Sequence, residues 1–323
     1  MRRLALLAVA VLLSACTGAT VLSPPPPDLS EGWTPVAVHT RTVGLGLPGG
    51  VHLARGVRFA GGLELMTPRG DRFHSLSDLK LAGDDLVMVS DAGDLFRARL
   101  SLDRRGRPSG LAGARMHPLT AADGRPFPTK TDGDAEGLAV TPDGELLVAF
   151  EGRHRIWRYG PLAAPAAVPT PVSTPPITAP GNVGLEALAM APGGWRAAGE
   201  GGGIWDCTPA ACAVVVAAPA APTPESEWRD TGLDRDPGGD GWFLVQRLYR
   251  APVDMRARIR RMDASGALGP VLVELTLPST TDNFEGIAAV ARPDATRLYI
   301  LSDDNDNRKQ RTLLLAFDVA GRD

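Results

Sequence analysis

The sequence predicts an all-β protein, a six-bladed β-propeller of four-stranded blades, and three observations carry that expectation. One motif recurs along the chain at steps of about 50 residues, the size of a four-stranded blade. Within each copy, turn signals separate short apolar runs roughly every 8 to 12 residues, the rhythm of an all-β chain. The composition agrees: 37 glycines and 29 prolines with only 5 % aromatic residues suit a turn-rich structure and disfavour helical bundles and coiled coils.

The chain opens with Arg2 and Arg3 and then an apolar run from Leu4 to Leu13. That run is too short to cross a bilayer, which needs roughly 20 residues, and it has the layout of a secretory leader. Leu13-Ser14-Ala15-Cys16 resembles the bacterial lipoprotein box, so residues 1–15 are expected to be a signal peptide and Cys16 the lipidated residue. Thr17 stands where an inner-membrane retention signal would show aspartate, which favours the outer membrane facing the periplasm. Residues 16–35, with Pro24 to Pro27, read as a disordered tether, and residues 36–323 as a single propeller domain. Membrane contact is expected through the Cys16 lipid only.

Five copies of the motif follow: Ser77 to Leu100, Glu136 to Tyr159, Glu186 to Cys207, a degraded copy from Gly232 to Asp263, and Glu285 to Val319. Each runs from a short apolar strand through a turn (AGDD, TPDG, APGG, PGGD, RPDA) into a second apolar strand, a polar corner and a third strand. The strand material between Val36 and Leu65 is expected to complete a sixth blade with the C-terminal strands. The Ala/Pro-rich stretch from Pro161 to Pro180 reads as an inter-blade strand and loop. Cys207 and Cys212, with four residues between them, suit a hairpin stapled by a disulfide in an oxidising compartment; metal binding by two cysteines without a nearby histidine is the weaker reading.

Placed in register, the copies show where charge recurs. The first strand opens on Ser77, Glu136, Glu186 and Glu285, and the second closes on Asp91, Glu151, Glu200 and Asp303. First strands of propeller blades line the central channel, so these acids would converge at one mouth. Carboxylates crowded there repel one another; a cation would relieve the repulsion, and calcium suits hard oxygen donors. The competing reading has them capping strand ends or bonding between blades. The run Ser302-Asp303-Asp304-Asn305-Asp306-Asn307 adds oxygen donors on the same face without the spacing of an EF-hand. Arg153, Arg247 and Arg308 are candidates for an anionic group, each equally readable as a solvated arginine. Asp91, Glu186, Glu200, Asp303, Asp304 and Asn305 form the expected metal set. No G-x-S-x-G elbow, paired-histidine metal motif or phosphate-binding glycine loop occurs, and a net charge of −3 gives no reason to expect nucleic acid.

SDLKL with VSDAGDLF, DAEGLAVTPDGELLVAFEG, NVGLEALAMAP, and NFEGIAAV with LYILSDDNDNRKQRTLLLAF together resemble the bacterial phytase-like family with esterase-like activity, from about residue 41 to 318. The resemblance implies an exported propeller that hydrolyses esters or phosphoesters, with calcium by analogy to the propeller phytases. Glu136, Glu186 and Glu285 carry over through EGLA, EALA and EGIA; Asp91, Asp303, Asp304 and Asn305 carry over through SDAG and SDDN. Ser77-Asp78 departs from the small pair a fuller copy would place there. The resulting expectation is a monomeric, lipid-anchored hydrolase acting on a small anionic ester or phosphoester, with Glu136 or Glu285 as the base. A gluconolactonase-type lactonase and a non-catalytic binding or scaffold propeller of the cell envelope are the alternatives.

Overall fold

The computed structural model describes residues 32–177 and 183–321. The signal peptide, Cys16 and all of the tether before Gly32 lie outside these residues. Thr34–Pro35, at the end of the expected tether, forms a short strand on the edge of the first sheet, opposite Met116 and Arg115.

Five antiparallel sheets of four or five strands stand around an axis. Their inner strands are Leu76–Ala82, Ala135–Val140, Leu185–Ala191, Arg229–Arg235 and Asn283–Arg292. Each inner strand contacts the next, and the last contacts the first, so the ring is closed. The core repeats the same count: five apolar clusters, each between two successive sheets, including one between the fifth and the first.

The propeller therefore has five blades, not six. The N-terminal strand material does not build a blade of its own. Val57–Met66 pairs with Thr312–Ala320 and supplies the fourth strand of the fifth blade, which closes the ring. His39–Thr42 lies outside it on the same sheet, and Val51–Leu53 extends the fourth blade beside Leu268–Leu275. One N-terminal segment thus laces the first, fourth and fifth blades together. The Ala/Pro-rich stretch supplies Thr170–Val172, the outer strand of the second blade.

Position within the blade explains the strand sequences. Second strands such as Asp85–Ser90 and Glu145–Phe150 are buried on both faces, because each sheet packs against a neighbour on either side. They accordingly read as continuous apolar runs (LVMV, LLVAF) rather than as alternating ones. Ala82 pairs with Asp85 around a two-residue turn in which Gly83 has φ +63°, a conformation that favours glycine. At the third blade's outer hairpin Cys207 and Cys212 are joined by a disulfide, as their spacing suggested.

Candidate metal and acid–base site

All five inner strands share one irregularity at the channel mouth. Their pairing with the second strand skips a residue: Ser77, Glu136, Glu186, Thr231 and Glu285 stand as the extra residue of a β-bulge. A bulge bends the strand and re-aims a side chain. Ser77, Glu136, Glu186 and Glu285 consequently line a polar cavity of about 200 Å³ at the channel mouth.

The residue after each second-strand pairing partner forms a further layer of the same cavity: Asp91, Glu151, Glu200, Arg247 and Asp303. Arg247 thus occupies, in the fourth blade, the position that carries a carboxylate in the other four. A third layer lies two residues before each bulge: Ser75, Asp134, Gly184, Arg229 and Asn283. Its glycine has a local cause, because a Cβ at Gly184 would come within 2.7 Å of Glu151 Cγ and 2.6 Å of His154 Cε1.

Nine carboxylates and three cations line the cavity. Lys130 Nζ lies 3.0 Å from Asp91 and 3.1 Å from Asp134. It is carried by a single helical turn, Lys130–Gly133, capped by Thr129 Oγ1, which accepts from the Asp132 N–H. Arg229 donates to Glu200 at 2.8 Å; Arg247 donates to the other Glu200 oxygen and, at 2.7 Å, to Asn283 Oδ1. Asn283 in turn donates through Nδ2 to Glu285 at 2.8 Å and to Asp303 at 3.3 Å. Glu285 Oε1 is also 3.7 Å from Arg247 Nη1.

Burial, with repulsion from neighbouring carboxylates, pushes six of these acids, Asp91, Glu136, Glu151, Glu186, Glu285 and Asp303, toward their neutral forms. Glu136 and Glu186 are held well above the usual carboxylate range, first by burial and then by neighbouring carboxylates, Glu186 and Asp134 for the former, Glu200 and Glu151 for the latter. Asp303 is raised by burial, then by Glu285 and Asp91. Glu151 is pushed up to about 7 by burial and by Asp134. Glu285 also reaches about 7, raised by burial and restrained by Arg247. Burial works against the charge of Arg247, yet Glu285, Glu200 and Glu186 hold it above its ordinary value.

Two groups of oxygens suit a cation. Asp134, Glu136 and Glu151 each present one carboxylate oxygen, all within 4.8 Å of one another, and so do Glu151, Glu186 and Glu200. Glu151 belongs to both, is almost fully buried, and its Oε1 has no hydrogen-bond partner. A buried carboxylate oxygen left without a donor costs free energy, and an all-oxygen donor set fits a hard divalent cation.

Of the residues singled out from sequence, Glu136, Glu285, Asp91, Glu186, Glu200, Asp303, Asn305 and Arg247 line the cavity. Three do not. Asp304 is used for structure: one oxygen accepts from the Asp306 N–H and from the Ser75 N–H of the first blade, and the other accepts from the Thr312 hydroxyl. Arg153 points to solvent and pairs with Asp132. Arg308 is exposed on the loop after Asn305. Sequence reasoning missed Lys130, Asp134, Arg229 and Asn283. Asp134 and Asn283 did leave a signal, a polar residue two places before the bulged glutamate in DAEG and NFEG.

A family model described as phytase-like, esterase-like activity of phytase, matches residues 71–306. No curated protein matches the chain. Among solved structures, the allergen Mala s 1 of Malassezia sympodialis is 16 % identical, over 82 % of this chain and 90 % of that one, with a TM-score of 0.45. A protein named as a candidate gluconolactonase is 12 % identical, over 92 % and 98 %, with a TM-score of 0.46. The catalytic domain of the Coprinopsis cinerea GH62 α-L-arabinofuranosidase is 9 % identical, over 79 % and 95 %, with a TM-score of 0.47.

Proposed function

The chain belongs to the phytase-like family, and from that premise we propose that it is a hydrolase of esters or phosphate esters, assisted by calcium held at the channel mouth. The observation that carries this reading is the pairing of two kinds of acid in one cavity. Glu151 belongs to two oxygen-only groups, one with Asp134 and Glu136 and one with Glu186 and Glu200, and contributes a buried oxygen lacking a donor. Glu285 stands outside both cation groups, with its pKa moved up to about 7.

Calcium bound by the first set would supply Lewis acidity toward the ester oxygen. The chain's own groups do the rest. Glu285, near half-ionised at neutral pH, is suited to accept a proton from the attacking water. Asn283 fixes its orientation by donating to Oε1. Arg247 presents a permanent positive charge on the same side, held by Glu200 and Asn283, where it can stabilise negative charge developing on the substrate. Glu136, a base candidate from sequence alone, is better placed as a cation ligand, because it belongs to the Asp134–Glu151 group.

The decisive experiment replaces Glu285 with Gln, which keeps the hydrogen bond from Asn283. With p-nitrophenyl acetate, p-nitrophenyl phosphate, phytate and a simple lactone as substrates, calcium-loaded wild type should turn over at least one. The variant should lose about 100-fold or more in kcat on that substrate while its calcium-dependent rise in Tm persists. Full activity in the variant removes Glu285 from the chemistry; calcium stabilisation without turnover of any substrate would make the cavity a structural cation site.

We also propose that the mature protein is exported and anchored through a lipid on Cys16, on the strength of the leader sequence and of a disulfide suited to an oxidising compartment. Labelling cells with radioactive palmitate tests this: Cys16→Ser should abolish incorporation.

A further inference from the structure

A second cavity of about 580 Å³ opens on the same face as the acidic one. The two are continuous, because Glu225, Arg247 and Asn305 line both. One part of its wall is apolar, Tyr249, Pro252, Val253, Met255 and Leu277, and the rest is polar, with Thr281, Asn283, Asn305, Asn307 and Gln310. Val253 is 67 % and Leu277 57 % exposed, and they are two of the seven large hydrophobic side chains exposed among the described residues. Two such side chains beside one groove, next to a candidate reaction centre, form a surface suited to covering apolar material.

Charge narrows what that material is. The groove carries Lys309 and Arg247 against Glu225 and Asp282. Arg247 is engaged by Glu200 and Asn283, and Asp282 by Arg311. The neighbouring cavity adds its excess of carboxylates. A polyphosphorylated ligand would need several uncommitted cations here, and the groove's own charges, two cations against two carboxylates, provide no such excess. An uncharged chain or ring fits both the volume and the wall.

We infer that the site acts on carboxylic esters bearing an apolar arm, and that the groove of Tyr249, Val253, Met255 and Leu277 receives this arm while the ester group sits beside Arg247 and Glu285, where the two cavities meet. This rests on the hydrolase reading of the acidic cavity and specifies its substrate class. Water adds to the carbonyl carbon with its proton passing to Glu285. The bond from that carbon to the alcohol oxygen then breaks, and Glu285 returns its proton to that oxygen, so the alcohol leaves neutral as the carboxylic acid is released.

The test compares p-nitrophenyl acetate, butyrate and hexanoate with p-nitrophenyl phosphate and phytate, on calcium-loaded wild type and on the Val253→Asp and Leu277→Asp variants. Both positions are largely exposed, so the variants should fold, which an unchanged Tm verifies. Wild-type kcat/KM should rise about tenfold or more from acetate to hexanoate, as added methylenes leave water. In either variant the ratio of hexanoate to acetate should fall toward one. Calorimetric titration with the uncleavable amide N-(4-nitrophenyl)hexanamide reads the groove without turnover: wild type should bind it, and Leu277→Asp should bind about tenfold more weakly. Acetate turnover with a flat chain-length series and no amide binding overturns the groove while leaving the hydrolase reading intact. Phosphate or phytate turned over faster than every carboxylic ester overturns the substrate class. Amide binding that Leu277→Asp weakens, with no substrate turned over, keeps the groove and overturns the hydrolysis.

Discussion

Individual side chains do two jobs at this channel, and Asp78 shows how closely they are interleaved. It is fully buried, and its carboxylate accepts from its neighbour's Leu79 N–H, from the Leu138 N–H of the second blade, and from Lys80. Lys80 also donates to the Ile287 carbonyl of the fifth blade, so the pair ties three inner strands together. Burial raises Asp78 to about 6 even against the pull of Lys80. Replacing Asp78 with Ala should cost about 3–5 kcal/mol, because it strands a buried ammonium and two amides; a urea midpoint within error of wild type would refute this. In the sequence, Asp78 stood out only as a departure from the repeat. The bulged glutamates were legible because each opens its strand in a recurring motif. Lys130 and Arg229 were not, since one sits on a helical turn between two blades and the other belongs to the blade whose copy of the motif is most degraded. Arg247 was legible as a candidate arginine, but its place in the carboxylate layer depends on a register that only the pairing reveals.

The inner strand, as an element, explains why glycine follows the bulge in three of the five blades. Neighbouring inner strands pass so close at the mouth that a side chain would strike backbone. A Cβ on Gly232 would come within 2.0 Å of the Glu285 carbonyl oxygen, one on Gly286 within 2.8 Å of the Leu79 nitrogen, and one on Gly137 within 3.1 Å of the Glu186 carbonyl. The EG pairs of EGLA and EGIA therefore combine an acid for the cavity with space for the next blade. Gly232→Ala should destabilise by about 1–3 kcal/mol through overpacking and should also lower turnover, because it displaces the strand segment that carries Glu285. Gly44→Ala, with nothing within 4 Å of the added carbon, serves as the control and should leave the unfolding midpoint within about 0.5 kcal/mol of wild type. Equal midpoints for the two variants would show that the strands are free to part. Element structure was largely readable from sequence, since repeat spacing and turn residues are local properties. The number of blades was not, because it depends on which distant partner the strand at residues 57–66 takes, and an apolar strand carries no local mark of its partner.

At the scale of the whole molecule, the ring concentrates repulsion at one mouth, and this gives the protein's stability a pH dependence of definite sign. Glu151 and Glu285 have folded-state pKa values of about 7, against an ordinary 4.5, and Glu136, Glu186 and Asp303 are raised as well. The folded, cation-free protein therefore holds protons that the unfolded chain has released. The resulting stabilisation is fully present below about pH 4.5 and is lost as the pH rises through about 7. Cation-free protein should accordingly melt lower at pH 8 than at pH 5, by on the order of 5 °C. Calcium binds the ionised cavity and competes with those protons, so it should raise the Tm most at pH 8 and progressively less toward pH 5. Differential scanning calorimetry of chelator-treated and calcium-loaded protein across this range reads both slopes. A Tm that rises with pH in the chelated protein would mean that Lys130, Arg229 and Arg247 already neutralise the ring. The cradle around Glu151 would then lose its physical need for a cation, and the case for calcium would fall with it.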